Sequence, residues 1–182
     1  MSGFNRFFPS GGGSGGGGGI VATNGFIDYN DTSTSTTPLV LNADTWTTIP
    51  NDGQGAFTNK AYAPPNVTEL MDANGAIDCS ELSLGDVIVI RNDYTITPQT
   101  NNGSLQFRYG LGGGGNEYFL GSRLGRMDSG SGIEYRYSLS TDLIYMGDLN
   151  TLNNPIILQI NSTAEATLVN AGSVYFVARY NV

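Results

Sequence analysis

Apolar and polar residues alternate along much of the chain, and this period of two predicts β-strands. In the run Gly132–Leu139, every second residue is aromatic or aliphatic, and Glu134, Arg136 and Ser138 lie between them. The run Ser104–Leu111 has the same pattern, which is typical of a strand with one dry face and one wet face. No window repeats its apolar residues at the spacing of about 3.6 that predicts a helix. We therefore expect an all-β chain.

Turn-forming residues separate many short runs of this kind. Asn74-Gly75 and Ala171-Gly172 are two such turns, and many short strands separated by turns are typical of a sandwich or a barrel. The segments predicted as strands are Gly25–Tyr29, Leu39–Leu41, Thr45–Ile49, Asn66–Met71, Asp86–Asn92, Ser104–Leu111, Glu117–Leu124, Gly132–Leu139, Leu143–Met146, Pro155–Asn161, Glu165–Asn170 and Ser173–Tyr180.

Three of these segments carry apolar residues on both faces: Val87–Ile90, Ile156–Leu158 and Val174–Val177. The outer face of a strand in a two-layer sandwich normally meets water, so these strands need a second cover. We interpret that cover as a neighbouring copy of the chain; the alternative is that the long segment Asn51–Cys79 folds over the same face. The residues predicted to lie in the interface of a trimer are Val87, Val89, Ile157, Tyr175 and Val177.

The first nineteen residues differ from the rest of the chain. Met1–Pro9 is rich in aromatic residues, and Ser10–Gly19 is almost entirely glycine, which has high backbone entropy and does not fold alone. We predict an arm over residues 1–19 and a β-domain over residues 20–182. The arm would bind a partner, because buried phenylalanines add contact energy; an unstructured terminus is the alternative. The residues predicted to bind are Phe4, Arg6, Phe7 and Phe8.

Composition narrows the classes of partner. The net charge is −8 and Lys60 is the only lysine, which disfavours binding to nucleic acid or to an anionic membrane. Charged residues make up only 13%, and short neutral side chains replace them, as in many adhesive and particle-forming β-proteins. We find no signal peptide and no apolar stretch that could span a bilayer. Cys79 is the only cysteine, so no internal disulfide forms, which fits synthesis in a reducing cytosol.

Catalytic chemistry has little support in the sequence. The chain contains no histidine, which excludes Ser-His-Asp and Cys-His arrangements and histidine-based metal sites. Trp46 could bind the face of a sugar, but an anchor in the core or an interface is the preferred interpretation. We expect no enzymatic activity, no cofactor and no metal site. Carboxylates that could in principle form a sugar-cleaving pair are Glu117, Asp128, Glu134, Asp142 and Asp148.

The order of several motifs is familiar. Thr45–Pro65 (TWTTIPNDGQGAFTNKAYAPP) is followed by Asn66–Met71 (NVTELM) and then by Ile77–Arg91 (IDCSELSLGDVIVIR). Together with the terminal Val174–Tyr180 (VYFVARY), they resemble the jelly-roll modules, similar to the tumour-necrosis-factor fold, of tailed-bacteriophage head-decoration proteins and fibre tips. The resemblance covers the chain from Asp44 onward and does not include the arm. It implies an antiparallel jelly-roll sandwich, a threefold assembly around an axis, no cofactor and no catalytic residue.

The resulting expectation is a structural protein of a virus particle. The preferred role is a capsid decoration or cement protein, made in the host cytoplasm and placed on the capsid exterior. Its partners would be two further copies of itself and the major capsid protein or other virion proteins. The alternative is the tip or adaptor of a tail or head fibre, which would bind a host-surface receptor such as a glycan.

Overall fold

A computed structural model describes residues 21–181 as two antiparallel β-sheets packed face to face. The described residues also contain two four-residue helices, α1 (Ser33–Thr36) and α2 (Leu149–Leu152), and neither has the length or hydropathy needed to cross a membrane. The strands are β1 (Val21–Asn30), β2 (Leu39–Leu41), β3 (Thr47–Thr48), β4 (Val87–Pro98), β5 (Gly103–Leu111), β6 (Tyr118–Met127), β7 (Tyr135–Tyr145), β8 (Ile157–Ser162) and β9 (Ala166–Asn181).

The pairing of the strands is that of a jelly roll. Sheet 1 has the order β1-β9-β4-β7, with β2 also paired to β9, and sheet 2 has the order β3-β8-β5-β6. Leaving β1 aside, β2 pairs with β9, β3 with β8, β4 with β7 and β5 with β6, and all four pairs are antiparallel. This is a hairpin of strands wrapped around a common core, which defines the double-sheet jelly roll. The predicted fold class is confirmed for the sandwich.

Alternation along the strands builds the core between the two sheets. In β5, Leu105, Phe107, Tyr109 and Leu111 are each about 1% exposed, while the residues between them face outward. Phe107 lies at the centre, with its ring 6.1 Å from that of Tyr94 in sheet 1 and 5.0 Å from that of Tyr109. Such strands fold together because each one buries an apolar face only when the opposite sheet covers it.

Two strands are longer than the sequence indicates. Gly132–Leu139 and Leu143–Met146, predicted as separate strands, overlap the single strand β7, which begins at Tyr135 and ends at Tyr145. Glu165–Asn170 and Ser173–Tyr180 likewise join in β9. The pairing of β4 with β9 shifts by one residue at this point. Ala171-Gly172 is therefore a β-bulge inside a strand and not the predicted turn, because one extra residue can be absorbed without ending the pairing.

The connection from β3 to β4 contains no strand of its own, so the strand predicted at Asn66–Met71 is wrong. The connection instead follows the outer edge of β1 with single backbone contacts. The amide of Phe26 donates to the carbonyl of Tyr62 at 2.8 Å, and the amide of Asp28 donates to the carbonyl of Asn59 at 2.9 Å. These contacts satisfy several of the free backbone groups on the outer edge of β1 without a continuous ladder.

A buried hydroxyl in sheet 1 gives a simple test of the core. The Tyr94 hydroxyl is buried and has no hydrogen-bond partner among the described residues, whereas the Tyr109 hydroxyl accepts from Asn92 Nδ2 at 2.7 Å. We expect Tyr94→Phe to leave the free energy of unfolding unchanged or to raise it by about 1 kcal/mol, because it removes an unsatisfied polar group and keeps the ring. The control Tyr109→Phe should lower it by about 1–2 kcal/mol. Urea denaturation of the three proteins measures both changes; a clear loss in Tyr94→Phe would contradict the prediction.

Candidate functional site

The outer side of sheet 1 carries a row of apolar side chains across four strands. Phe26 of β1 lies opposite Phe176 of β9, Phe176 lies opposite Val89 of β4, and Val89 lies opposite Leu143 of β7. Residues directly opposite each other project from the same side of a sheet. With strands about 4.8 Å apart, the row is about 15 Å wide.

A second row lies beside the first, where Ala178 is opposite Val87 and Val87 is opposite Tyr145. Several of these side chains are well exposed: 59% for Leu143, 57% for Tyr145 and 40% for Phe176. Large contiguous apolar patches on an isolated chain usually mark a contact surface. We call this surface the apolar face; its residues are Phe26, Val87, Val89, Leu143, Tyr145, Phe176, Ala178 and Tyr180.

The β3–β4 connection covers only one margin of the apolar face. The Tyr62 ring stacks on Phe26 with a centroid distance of 5.1 Å, and Phe26 nevertheless remains 38% exposed. Phe176 of β9 and both Leu143 and Tyr145 of β7 stay open. The alternative that Asn51–Cys79 folds over the doubly apolar strands is therefore wrong for β9 and β4. Its backbone instead runs along the edge of β1.

The face ends in a polar margin on the side of Arg91. In the row after Phe176, Asp28 lies opposite Val174 and Val174 lies opposite Arg91. Arg91 forms an ion pair with Asp93 at 3.1 Å, and partial burial is the main effect raising the pKa of Asp28. An apolar centre bordered by charges of both signs is the usual anatomy of a protein–protein contact surface.

Two of the five predicted interface residues belong to the apolar face and three do not. Val87 and Val89 lie on it and are half-buried. Tyr175 and Val177 point between the sheets, where they are 1% and 0% exposed, so they pack in the core and are not available to a neighbour. Because β9 is apolar on both sides, its sequence does not tell which alternating set faces inward. The outward residue between them is Phe176.

Ile157 lies on a different surface. It belongs to β8 of sheet 2 and is 40% exposed on the outer side of that sheet, so it does not join Val87 and Val89 in one surface. Leu143 and Tyr145 were missed as interface residues, although both lie in the predicted strand Leu143–Met146 and alternate with buried Ile144 and Met146. That alternation was the available signal. The arm residues Phe4, Arg6, Phe7 and Phe8 lie outside the described residues.

The outer side of sheet 2 carries a different arrangement, centred on Arg108. Its guanidinium carbon is 4.0 Å from the centroid of the Trp46 ring and 3.9 Å from that of Phe119. Nε donates to the side-chain oxygen of Gln159 at 2.8 Å. Desolvation lowers the pKa of Arg108 from its usual value. Beside this stack is a pocket of about 340 Å³ lined by Trp46, Gln106, Phe107, Arg108, Phe119, Gly121 and Arg123.

Other groups that could carry chemistry serve local structure. Cys79 is buried, and this burial raises the pKa of its thiol to about 12, so it is protonated at neutral pH. Asp72 accepts the amides of Asn74 and Ala76 through Oδ1, and these bonds hold a local turn. Within residues 21–181, no three His, Cys, Asp or Glu side chains cluster as metal ligands would.

Three of the five carboxylates considered for sugar cleavage have a partner close to them in sequence. Asp128 pairs with Arg126 and Glu134 pairs with Arg136, both on exposed side chains. Asp148 caps α2 by accepting the amide of Thr151 at 2.7 Å. Each is thus occupied by a neighbour in its own segment.

Comparison with protein-family models and with curated proteins gives no match. Two solved structures are similar to this chain at a low level. A chain of the IBDV viral particle is 11% identical over 87% of this chain, with a TM-score of 0.38, and this chain spans 31% of its length. The PRD1 vertex protein is 15% identical over 90% of this chain and 100% of its own, also with a TM-score of 0.38. Similarity at this level does not identify a function.

Proposed function

We propose that this protein is a virion structural protein that assembles through its apolar face into a homotrimer and decorates the exterior of a capsid. The observation that carries the proposal is the apolar face, with Leu143 and Tyr145 each more than half exposed. Burial of apolar area stabilises association by about 25 cal/mol per Å² before the costs of ordering. An unoccupied surface of this kind on an isolated chain therefore favours a partner.

A further copy of the chain is the occupant that fits this face. The face is apolar in its centre, and its margin offers both Arg91 and Asp28, so different parts of the same face can complement each other when copies meet head to tail in a closed ring. The number three comes from the resemblance to trimeric jelly-roll modules. A trimer places sheet 1 of each subunit toward the axis and leaves sheet 2 on the outside.

In this proposal the arms attach the trimer to the particle. The residues that would bind are Phe4, Arg6, Phe7 and Phe8, with the major capsid protein or another virion protein as partner. Three arms acting together convert a weak contact per chain into a strong one, because the second and third contacts form at a high effective concentration. Extra contact area across the joints between capsid subunits would stabilise the shell.

The oligomeric state tests the role of the apolar face. Leu143→Glu should convert the trimer to a monomer at concentrations up to about 100 μM, because each interface would then bury an unpaired carboxylate. Val40→Glu is the matched control: Val40 is also on the outer side of sheet 1 and is 58% exposed, against 59% for Leu143, but lies opposite Thr167. It should leave the trimer intact. Sedimentation velocity on the full chain measures all three proteins, and a monomeric parent protein would contradict the proposal.

Copy number in purified particles separates decoration from the alternative role. A decoration protein should be present in hundreds of copies, whereas a fibre tip or adaptor should be present in a few dozen or fewer. The observation that favours the alternative is the pocket beside Arg108 and Phe119, since receptor binding needs an exposed site of this sort. Quantitative mass spectrometry of particles against the major capsid protein gives the ratio.

A further inference from the structure

Two cations on sheet 2 lack a counter-charge. Seven of the eight Lys and Arg residues lie within residues 21–181, because Arg6 precedes them. Within that range Arg108 and Arg123 form no ion pair, and both line the pocket on sheet 2. The protein has 16 acidic residues and a net charge of −8, so two unneutralised cations in one pocket make a local positive site. The five cations that do pair with carboxylates are Lys60, Arg91, Arg126, Arg136 and Arg179.

The Arg108 guanidinium is held in a single orientation. The rings of Trp46 and Phe119 lie over it at about equal distances, and its Nε–H donates a hydrogen bond to the side-chain oxygen of Gln159. The part that remains for a ligand is the edge with Nη1 and Nη2, and neither atom has a hydrogen-bond partner among the described residues. A guanidinium edge fixed in this way is suited to a planar acceptor that lies in its own plane, and a carboxylate binds it with two parallel hydrogen bonds.

The space for the ligand comes from Gly121. This residue lies directly opposite Arg108 in the pairing of β5 with β6, and its lack of a side chain leaves the pocket open. The pocket volume of about 340 Å³ is at the lower end of the range of about 300–1,000 Å³ found for small-molecule sites. Phe119 is 53% exposed and offers an apolar wall, while Gln106 adds an amide.

We propose that the pocket formed by Trp46, Arg108, Phe119, Gly121 and Arg123 binds a sugar that carries a carboxylate, such as one unit of an acidic polysaccharide. The carboxylate pairs with the Nη edge of Arg108, and Arg123 adds a second positive charge. The sugar ring packs on the exposed part of Phe119, as amphipathic ring faces do on aromatic side chains. The hydroxyl groups have Gln106 as a partner.

The site is compatible with assembly through sheet 1. The apolar face and this pocket lie on opposite outer sides of the sandwich, so an occupied interface leaves the pocket open to solvent. Binding would thus be a separate activity from assembly, and it requires neither the trimer nor a particular location in the virion.

The test uses the fluorescence of Trp46, the only tryptophan of the chain. The full-length protein is titrated with the methyl glycosides of glucuronate, galacturonate and N-acetylneuraminate, with the methyl esters of the same sugars and with inorganic phosphate. The variants are Arg108→Gln, which removes the charge, and Gly121→Leu, which fills the pocket. The backbone at Gly121 accepts a Cβ, because this atom would meet only Phe107 O at 3.5 Å and Arg108 Cβ at 3.7 Å. Arg136→Gln, on an exposed ion pair, is the control.

We expect at least one sugar acid to saturate with a Kd of about 1 mM or tighter, and its ester not to bind. Arg108→Gln and Gly121→Leu should each weaken binding about tenfold or more, whereas Arg136→Gln should not. The proposal is overturned if none of the three acids saturates, if esters bind as well as acids, or if both pocket variants bind like the parent protein. Phosphate binding more tightly than every sugar acid would also overturn it, since the site would then be one for a free anion.

Discussion

Asp86→Ala is expected to lower the free energy of unfolding by about 3–5 kcal/mol, because it leaves the buried cation of Arg179 without a counter-charge. Arg179 Nε lies 3.1 Å from Asp86 Oδ2, and the two side chains are 11% and 1% exposed. The remaining guanidinium nitrogens of Arg179 donate to the carbonyl of Pro65 at 2.9 Å and to the hydroxyl of Ser83 at 3.3 Å. The cation cannot turn to water without breaking these bonds.

The pair joins three separated parts of the chain. Asp86 also accepts the amides of Ser83 at 2.9 Å and of Tyr180 at 3.0 Å, so it fixes the end of the β3–β4 connection to β9. Two residues of the apolar face adjoin Asp86: Val87 follows it in sequence, and Tyr180 donates its amide to it. We therefore expect the loss of stability to loosen this corner of the proposed interface as well.

Chemical denaturation measures the change, and two further variants identify its cause. Asp128→Ala breaks the ion pair with Arg126, whose side chains are about 60% exposed, and should lower stability by at most about 1 kcal/mol. In Asp86→Ala/Arg179→Met the uncompensated charge is absent, so part of the lost stability should return. A change below about 1 kcal/mol in Asp86→Ala alone would show that the pair does not hold the connection.

Sequence periodicity predicts the sandwich well because its signal is local. Leu105, Phe107 and Tyr109 alternate with polar residues, and burial follows this alternation residue by residue. It fails at Asn66–Met71, where a short apolar pattern packs as an irregular connection under Tyr29, whose hydroxyl accepts the amide of Leu70 at 2.8 Å. A hydrogen bond between residues 41 positions apart leaves no trace in a local window, and tertiary contacts routinely override short patterns.

The site is predicted less completely than the fold. The composition of β4 and β9 shows that both strands need a cover on each side. It does not show whether Phe176 or Tyr175 faces outward, because this depends on the register with β4. The stack around Arg108 is even less predictable from the sequence. Trp46, Arg108 and Phe119 are up to 73 positions apart in the numbering, and they meet only because β3, β5 and β6 belong to one sheet.

The bulge in β9 gives the second large effect, because two features at Gly172 exclude a side chain. Its φ is 146°, a conformation that essentially only glycine adopts. A Cβ on this residue would also lie 2.4 Å from the carbonyl oxygen of Tyr29 and 3.0 Å from Cα of Asn30, both backbone atoms of β1. Because Gly172 is paired with Asn30 at the end of β1, the side chain could be accommodated only by separating the two strands.

Gly172→Ala is therefore expected to lower the free energy of unfolding by about 3 kcal/mol or more, from backbone strain of about 1–3 kcal/mol together with displacement of β1. Gly125→Ala is the matched control, since Gly125 also lies beside a register shift and has a φ of 123°, but no atom lies within 4 Å of its Cβ position. Gly125→Ala should lower the free energy of unfolding through backbone strain alone, by about 1–2 kcal/mol. Denaturant unfolding of both variants gives the difference, which measures how tightly β1 is held against β9. Equal losses in the two variants would mean that β1 moves aside freely, and Phe26 would then be a poorly fixed member of the apolar face.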